Sequence, residues 1–295
     1  MTSSFFGLLN PDSIRKITQD FQNSAIVRSN SVQTYRDIYM RLKGKTALIT
    51  GATGAIGTAT CKLYYSEGAE IVMVGRSEEK LQDLMGSFDD KSKLRTIVAN
   101  SKSEKEIRDA VHFANDQFGS LDIVLANAGT EGVVKPLTEF TVDEFNEFLS
   151  VNVVGIWLYM KHAIPLMQKQ RSGSFIAVSS GGGVVGFNGQ LPYIASKHAV
   201  NGMVKTACIE NGQYNVRVNA LAPGPVDNRM MRSLEEQLNP SDPEALRENI
   251  IAQMIPMQKY STNEDVANLA LFLGSDESAN CSGAVFLSDG GFTAA

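Results

Sequence analysis

The sequence predicts an α/β fold in which one doubly wound parallel sheet forms a single domain. Six or seven short apolar runs alternate with helix-like segments from Lys45 to the end of the chain. A glycine-rich turn at residues 51–57 follows the first apolar run and opens a helix-like segment. Neither an internal repeat nor a linker divides this region. Such an alternation places a helix between successive parallel strands and covers both faces of the sheet.

The apolar runs indicate strands because each is short, aliphatic and bounded by turn residues. Helix-like segments are predicted after the glycine-rich turn to about residue 66, and at residues 104–118, 141–150, 152–170 and 193–215. Asn215 is expected to end the last of these in the left-handed conformation. A long, methionine-rich connection follows at residues 228–258. The predicted strands are residues 46–50, 71–74, 94–99, 121–126, 174–179, 216–221 and 284–287.

The composition excludes several classes of function. The 295-residue chain has a net charge of −5 and no run of basic residues, which argues against a nucleic-acid surface or an anionic-membrane site. No apolar run reaches the roughly 18 residues of a membrane span. Cys61, Cys208 and Cys281 are widely separated and odd in number, unlike metal ligands or a disulfide framework. We therefore expect no metal site, and a reducing compartment such as the cytoplasm.

Residues 1–42 are predicted to be an N-terminal extension to a catalytic domain at residues 43–295. The apolar patch near Phe5 has no basic residue before it, unlike a secretory signal. Asp12 or Ser13 could cap a short helix. An organellar transit peptide is the alternative, because the stretch contains basic residues, although its aspartates count against it. We expect the extension to pack on the domain or on a neighbouring subunit.

The turn at residues 51–57 is a candidate dinucleotide site. A strand, a glycine-rich turn and a helix cradle a pyrophosphate, because glycines allow close backbone approach and the helix N–H groups favour negative charge. The second strand ends at Gly75-Arg76, without the acidic residue that holds the ribose hydroxyls of NAD. The Arg76 guanidinium favours the 2′-phosphate of NADP. The alternative is an exposed arginine that pairs with Glu78 or Glu79 and binds no ligand.

Tyr193 and Lys197 form a candidate acid–base pair. They stand four residues apart at the start of a helix-like segment, and such residues share a helix face. At ~4 Å and an effective dielectric of ~20, the attraction is about 4 kcal/mol, which could lower the pKa of Tyr193 by up to about three units. Tyr193 would then be a usable general acid or base. Ser180, after the fifth apolar run, could offer its hydroxyl to the same substrate oxygen. Because this spacing also arises by chance, the dinucleotide turn upstream is what favours catalysis.

These motifs resemble the short-chain dehydrogenase/reductase family over residues 43–295. The interval of 13 residues between Ser180 and Tyr193 is the family's usual one. The resemblance implies a Rossmann-type fold and an NAD(P)-dependent oxidoreductase that acts on CH–OH groups. The matching motifs are Thr50-Gly51, Ile56-Gly57, Asn127-Ala128-Gly129, Asn152, Ser180, Tyr193 with Lys197, Pro223-Gly224 and Asp289-Gly290-Gly291.

The resemblance also implies a role for each matching residue. Tyr193 would exchange a proton with the substrate oxygen, and Ser180 would hold that oxygen. Lys197 would bind the nicotinamide ribose and lower the pKa of Tyr193, while Asn152 would hold a water linking Lys197 to solvent. Besides Tyr193 and Lys197, the cofactor would contact Gly51, Thr53, Ile56, Gly57, Arg76, Asn100, Asn127, Ala128, Gly129, Pro223, Gly224 and Val226.

The chain departs from the family pattern at four positions. Ala55 replaces the middle glycine of the first turn. Gly54 stands where NADP-dependent members often have a basic residue. Asn100 replaces the aspartate that meets the adenine, although its amide carbonyl can still accept a hydrogen bond. Asn228 lies where a threonine usually helps to hold the carboxamide. NADP is nevertheless favoured over NAD because of Arg76.

The segment at residues 228–258 falls where the family has its substrate lid. Its methionines, with apolar residues across the site, predict a largely apolar alcohol or ketone substrate. A 3-oxoacyl thioester reductase and a non-catalytic cofactor-binding protein are the alternatives. Helices at residues 152–170 and 193–212 fall where family members form tetramer contacts, so the resemblance implies a homotetramer. The apolar residues expected across the site are Val184, Val185, Phe187 and Leu191.

Overall fold

The computed structural model describes residues 40–294. The predictions made for residues 1–39 lie outside the described residues. All seven predicted strands are present, with ends shifted by at most two residues. They are β1 (Thr46–Thr50), β2 (Glu70–Gly75), β3 (Leu94–Val98), β4 (Ile123–Ala126), β5 (Gly173–Val178), β6 (Val216–Pro223) and β7 (Val285–Ser288).

The strands form one parallel sheet in the order β3-β2-β1-β4-β5-β6-β7. The strand order reverses between β1 and β4, because β2 and β3 extend the sheet on one side of β1 and β4 to β7 on the other. In such sheets a ligand binds at the carboxyl ends of the strands, in the crevice at this reversal. The predicted doubly wound, Rossmann-type fold is confirmed.

Helices cover both faces of the sheet. On one face lie α1 (Ala55–Ser66), α2 (Glu78–Gly86) and α9 (Asn263–Gly274); on the other lie α3 (Glu104–Phe118), α5 (Gly155–Gln170) and α6 (Leu191–Asn211). The side chains of strand β1 show why both faces of the sheet must be covered. Ala47 and Ile49 enter the core under the first group and Leu48 enters the core under the second, because successive strand residues point to opposite faces.

Three helices lie outside these two layers. Helix α4 (Val142–Leu149) precedes a π-helical turn, Ser150–Val154, that leads into α5. Helices α7 (Arg229–Leu238) and α8 (Pro243–Met254) occupy most of the predicted lid. The prediction for Asn215 also holds, since its φ of 58° is left-handed, but it ends a short 3-10 turn after α6 rather than α6 itself.

Membrane-spanning helices and metal-binding clusters are both absent from residues 40–294. None of their helices has both the length and the apolarity needed to cross a membrane. Residues 40–294 contain no group of three or more His, Cys, Asp or Glu side chains that could hold a metal ion. The three cysteines are free thiols.

Candidate active site

The turn after β1 is built from close backbone contacts that require glycine. Gly51 has a φ of +61°, and a Cβ on Gly57 would lie 2.2 Å from the Gly51 carbonyl oxygen. No side chain caps the start of α1, and its first turn has no acidic residue. Its first N–H groups and its dipole therefore favour an anion, as a pyrophosphate requires. Ala55 is exposed at this helix start, so its methyl group does not disturb the turn.

Thr50 joins the ends of β1 and β4. Its buried hydroxyl oxygen accepts hydrogen bonds from the N–H groups of Asn127 and Ala128, each at 2.9 Å. In return, the Asn127 amide donates to the carbonyl oxygens of Thr50 at 3.1 Å and Gly51 at 3.3 Å. The candidate residues Asn127, Ala128 and Gly129 are thus fixed against the dinucleotide turn. Sequence reasoning had given the Thr50 hydroxyl no role.

The candidate adenosine site lies at the ends of β2 and β3. Arg76 is exposed, and within the described chain it forms neither a hydrogen bond nor an ion pair, with Glu78 and Glu79 or with any other group. Asn100 is exposed too, and its Oδ1 accepts from the Lys102 N–H at 3.1 Å. The Asn100 amide N–H groups and the Arg76 guanidinium are therefore available to a ligand.

Ser180, Tyr193 and Lys197 line one cavity of about 330 Å³. Ser180 follows β5 in an extended conformation, and its Oγ accepts from the Gly182 N–H at 3.1 Å. Tyr193 and Lys197 lie in the first two turns of α6. The predicted convergence of these three side chains is therefore seen in the structure. The other candidate residues that line this cavity are Ile56, Asn127, Gly129, Pro223, Gly224 and Val226.

Lys197 is buried beside the end of β5. Its Nζ donates to the Val178 carbonyl oxygen at 2.9 Å and lies 5.6 Å from the centre of the Tyr193 ring. Burial disfavours the ammonium and lowers the pKa of Lys197 to about 8. A lysine with this pKa can exchange a proton near neutral pH.

The pKa of Tyr193 moves opposite to the direction predicted from its neighbour Lys197. Burial raises this pKa, a hydrogen bond with Ser180 lowers it in part, and the charge of Glu131 raises it again. The predicted lowering by Lys197 is wrong for this structure, because desolvation of the phenolate outweighs other effects and the lysine ammonium is directed to the Val178 carbonyl oxygen.

Asn152 lies behind the cavity in the π-helical turn, a feature that often marks functional sites. The side chain is fully buried. Its Oδ1 accepts from the Thr130 N–H at 2.9 Å, and its Nδ2 donates to the Thr130 carbonyl oxygen at 3.0 Å and to Ser196 Oγ at 3.3 Å. A Cβ on Gly129 would lie 3.3 Å from Asn152 Oδ1 and 3.7 Å from Lys197 Nζ. Asn152 and Lys197 are therefore near neighbours.

Two side chains that sequence reasoning missed fix the Ser180 loop to α6. Ser179 Oγ donates to the Lys197 carbonyl oxygen at 3.2 Å, and Asn201 Nδ2 donates to the Gly183 carbonyl oxygen at 2.8 Å. A Cβ on Gly183 would lie 2.6 Å from Ser179 Oγ. The run of glycines after Ser180 was the available signal for this close packing.

The cavity walls are mostly apolar, as expected. Phe187 lines the cavity, but Val184 and Leu191 are 42% and 43% exposed and, like Val185, do not line it. Those three were placed wrongly: Val184 and Val185 lie in a loop that folds back on α6, and Leu191 is the exposed first residue of α6 itself. The lid supplies Met230, Met231, Leu234, Leu238, Leu246, Ile250 and Met254.

The segment after β6 completes the site. Val226 lies opposite Ser261, whose N–H donates to the Pro225 carbonyl oxygen and whose carbonyl oxygen accepts from the Asp227 N–H. The Val226 N–H is not used in this pairing and has no acceptor among the described residues, so it is free to bind a carboxamide. Asn228 caps α7, since its Oδ1 accepts from the Met230 N–H at 3.0 Å.

Comparisons with known proteins identify the family. The family model described as Enoyl-(Acyl carrier protein) reductase matches residues 51–293. Xanthoxin dehydrogenase of Arabidopsis thaliana is 38% identical over 264 residues, which cover 86% of this chain and 91% of that protein. The chain belongs to the short-chain dehydrogenase/reductase family. The resemblance inferred from the motifs is thus confirmed, and as a member of this family the protein is an oxidoreductase that acts on alcohol or ketone groups.

Two solved structures in the short-chain dehydrogenase/reductase family match the fold. A crystal structure of levodione reductase has a TM-score of 0.83 at 32% identity and covers 86% of this chain and 100% of that chain; the levodione reductase of Leifsonia aquatica is 32% identical over 258 residues. A crystal structure of a gluconate 5-dehydrogenase from Burkholderia cenocepacia, in complex with NADP and tartrate, has a TM-score of 0.80 at 27% identity. The match covers 87% of this chain and 98% of that chain.

Proposed function

We propose that this protein transfers a hydride between NADP(H) and a largely apolar secondary alcohol or ketone, with Tyr193 as the general acid or base. One observation carries the proposal. Ser180, Tyr193 and Lys197 line the same apolar cavity as Ile56, Gly129 and Val226, which belong to the cofactor-binding segments.

The chain's own groups account for the proton transfer. Tyr193 gives a proton to a carbonyl oxygen in reduction, or takes one from a hydroxyl in oxidation, and Ser180 holds that oxygen by a hydrogen bond. A phenol with a raised pKa is protonated at neutral pH, which is the form that the reductive direction requires, although it gives up its proton less readily. Lys197, with its pKa near 8, can return the proton, and the neighbouring Asn152 would hold the water that links Lys197 to solvent. NADP(H), when bound, supplies or accepts the hydride.

The choice of NADP rests on the unpaired Arg76 guanidinium at the end of β2. A free arginine and no acidic residue at this position suit a 2′-phosphate and leave the ribose hydroxyls of NAD without their usual partner. The NADP complex of the related gluconate 5-dehydrogenase supports the same choice. Gly51, Thr53, Gly57 and the start of α1 would hold the pyrophosphate, Asn100 the adenine, and Val226 the carboxamide.

A homotetramer is also proposed. Val154 and Trp157, at the start of α5, are 41% and 48% exposed, and Ile209 near the end of α6 is 83% exposed. These apolar side chains lie on the two helices where the family resemblance implies subunit contacts. The roles of residues 1–42 as an extension and of residues 43–295 as the catalytic domain, and the cytoplasmic location, stay predictions.

Replacing Tyr193 with phenylalanine tests the catalytic assignment. Because general acid–base catalysis contributes roughly 10²- to 10⁴-fold, we expect Tyr193→Phe to lose about this factor in kcat while NADPH binding, followed by fluorescence titration, stays within about threefold. An unchanged rate would remove Tyr193 from the mechanism. Turnover of 3-oxoacyl thioesters but not of free ketones would favour the thioester reductase, and NADPH binding without any turnover would favour a non-catalytic cofactor-binding protein.

Replacing Arg76 tests the cofactor choice separately. A charged hydrogen bond contributes about 1.5–3 kcal/mol, so Arg76→Ala should weaken NADPH binding by roughly 10- to 100-fold and leave NADH binding unchanged. Arg95→Ala, at an arginine on β3 that bonds Gln117 and the main chain, is the control and should change neither affinity. Equal loss for both cofactors, or no loss, would contradict the NADP assignment.

A further inference from the structure

Gln190 places an unused amide group in an otherwise apolar cavity. The residue is 8% exposed, and its side chain lines the cavity together with Tyr193. Gln190 immediately precedes α6, but its side chain makes no capping hydrogen bond. Within residues 40–294 its amide has no hydrogen-bond partner at all.

Three other partly or fully buried polar side chains of the cavity contrast with Gln190. Asn127 donates to the Thr50 carbonyl oxygen, and Lys197 donates to the Val178 carbonyl oxygen. Asn228 accepts from the Met230 N–H and donates to Asn263 Oδ1. Buried polar groups are normally satisfied in this way. An unpaired amide on a residue that is only 8% exposed and lines a ligand cavity is a candidate binding group for the ligand.

The main chain on both sides of Gln190 is fixed. Its carbonyl oxygen accepts from the Ile194 N–H at 3.0 Å, in the first turn of α6. The preceding Gly189 has a φ of +75°, accepts from the Lys135 N–H at 3.0 Å, and has no space for a Cβ, which would lie 2.7 Å from Val134 Cγ1. The main chain that carries the Gln190 side chain is therefore fixed beside the cavity.

Gln190 stands three residues before Tyr193, as the residue that leads into α6, and both line the same cavity of about 330 Å³. A substrate that fills this cavity with its reacting oxygen at Tyr193 would therefore bring a neighbouring group, one or two carbons away, within reach of the Gln190 amide. That amide has two N–H donors and one carbonyl acceptor, so it can bind either a carbonyl oxygen or a hydroxyl group.

We propose that Gln190 binds a second oxygen of the substrate, in a 1,2 or 1,3 relation to the reacting carbon. The proposal rests on the function proposed above and narrows its substrate class. The substrate is then a dione, a hydroxyketone or a keto ester, or the corresponding alcohol, on an otherwise apolar skeleton. A hydrocarbon ketone is disfavoured because it leaves the Gln190 amide desolvated and unpaired. Sites that bind a substrate oxygen in this way reject analogues that lack it more strongly than purely apolar pockets do.

The test compares two ketones of equal chain length, ethyl 3-oxobutanoate and 2-heptanone, of which only the first carries a second carbonyl group. The enzyme and its Gln190→Met variant are assayed with NADPH, since methionine keeps the length and flexibility of glutamine but not its amide. We expect Gln190→Met to lower kcat/KM for ethyl 3-oxobutanoate by about 10- to 100-fold and that for 2-heptanone by less than about threefold. For each ketone, kcat/KM of the variant is divided by that of the wild type, so the different intrinsic reactivities of the two ketones cancel.

Controls separate this proposal from effects on folding and from the proposed function. Gln213→Met makes the same substitution at a solvent-exposed glutamine outside the cavity and should change both rates by less than about threefold. NADPH affinity and melting temperature should match in all variants. Equal losses for both ketones, or no loss for either, would overturn the role of Gln190 while leaving the proposed reaction intact. If the wild type reduces neither ketone with NADPH or NADH, and oxidises neither matching alcohol, the proposed function fails as well.

Discussion

The dinucleotide half of the site and the lid are held in place by different kinds of contact. The dinucleotide half, formed by β1, α1 and β2, packs fully buried apolar side chains such as Ile49, Cys61 and Tyr64 into one core. Its turns are fixed by main-chain contacts, including those of Gly57 with the Gly51 carbonyl oxygen. This half therefore has one well-defined geometry, which suits a ligand that is the same in every reaction cycle.

The lid has little core of its own. Helix α7 buries only Glu235, a charged residue, and α8 buries only Ile250. Polar side chains attach the lid to the body. Arg229 pairs with Glu131 at 2.9 Å, and the side-chain oxygen Oε1 of Gln237 accepts from the Val134 N–H at 2.9 Å.

This difference between the dinucleotide half and the lid indicates which region determines cofactor specificity and which determines substrate specificity. Segments with few buried apolar contacts open most readily, and lids belong to this class. Changes in the dinucleotide half should therefore act on cofactor binding and on the whole fold, whereas changes in the lid should act on substrate binding. Four substitutions test this division, and we give them in order of expected effect.

Gly57→Ala should have the largest effect. The added Cβ would lie 2.2 Å from a main-chain oxygen and 2.9 Å from the Ala52 Cα, neither of which can rotate away. We expect a loss of about 3 kcal/mol or more in unfolding free energy and no measurable NADPH binding. Gly86→Ala is the control, because a Cβ there meets nothing within 4 Å. Chemical denaturation and NADPH titration measure both, and normal binding by Gly57→Ala would contradict the rigid-turn account.

Lys197→Met tests whether water reaches the buried ammonium group of Lys197 in the cavity. The unfolded lysine stays charged to about pH 10.4, whereas burial lowers the folded pKa to about 8. Between these values the unfolded chain binds more protons, so stability must rise with pH. The unfolding free energy of the wild type minus that of Lys197→Met should therefore increase by about 2.5 kcal/mol from pH 8 to pH 10.5. A difference that stays flat over this range would show that water reaches the ammonium.

Glu235→Ala should act on the lid alone. Glu235 pairs with Arg232, and the Tyr260 hydroxyl donates to its carboxylate at 2.9 Å. Breaking a buried ion pair costs about 3–5 kcal/mol; we expect about 2 kcal/mol, because Arg232 stays partly exposed. Hydrogen exchange should accelerate in α7 and α8 but not in β1 or α1, and KM for the ketone should rise.

Glu248→Ala, at an exposed glutamate on α8, is the matched control for Glu235→Ala and should leave both exchange and KM unchanged. If Glu235→Ala accelerated exchange equally in the sheet and the lid, the two regions would be one cooperative unit, and the comparison above would fail.

The features that the sequence predicted correctly are local in the chain. The strands follow from short apolar runs. The Tyr193–Lys197 pair follows from helical spacing, and the position of Ser180 follows from the end of a strand. Each depends on residues within a few positions of one another, where periodicity and turn chemistry are informative. The family motifs extended this local information to Asn127 and Val226, whose roles at the cofactor stay predictions.

The features that the sequence did not predict depend on contacts between distant segments. The Thr50 hydroxyl accepts from N–H groups 77 and 78 residues away, and no local pattern signals this. The sequence predicts two ordinary helices around Asn152, and it does not signal the π-helical turn that joins them. Val184 and Leu191 are apolar and near Ser180 in sequence, yet both are exposed, one in the loop and the other at the start of α6. The pKa of Tyr193 depends on burial, which spacing alone cannot give.

Arg229→Ala should have the smallest effect, since Arg229 is 77% exposed although its partner Glu131 is 11% exposed. An ion pair of this kind contributes about 0.5 kcal/mol, so KM for the ketone should rise about two- to threefold at low salt and not at all near 1 M salt, where the Debye length is about 3 Å.

Arg108→Ala, at an exposed arginine paired with Asp109 on α3, should leave KM unchanged and serves as the control. Glu131 also raises the pKa of Tyr193 through its charge. Without Arg229 that charge is less neutralised, so the alkaline limb of the pH–rate profile should move to higher pH in Arg229→Ala. A profile that moves to lower pH, or a loss of more than about tenfold in kcat, would mean that the Arg229 guanidinium acts on the substrate itself. The polar contacts of the lid would then belong to the reacting site and not only to its closure.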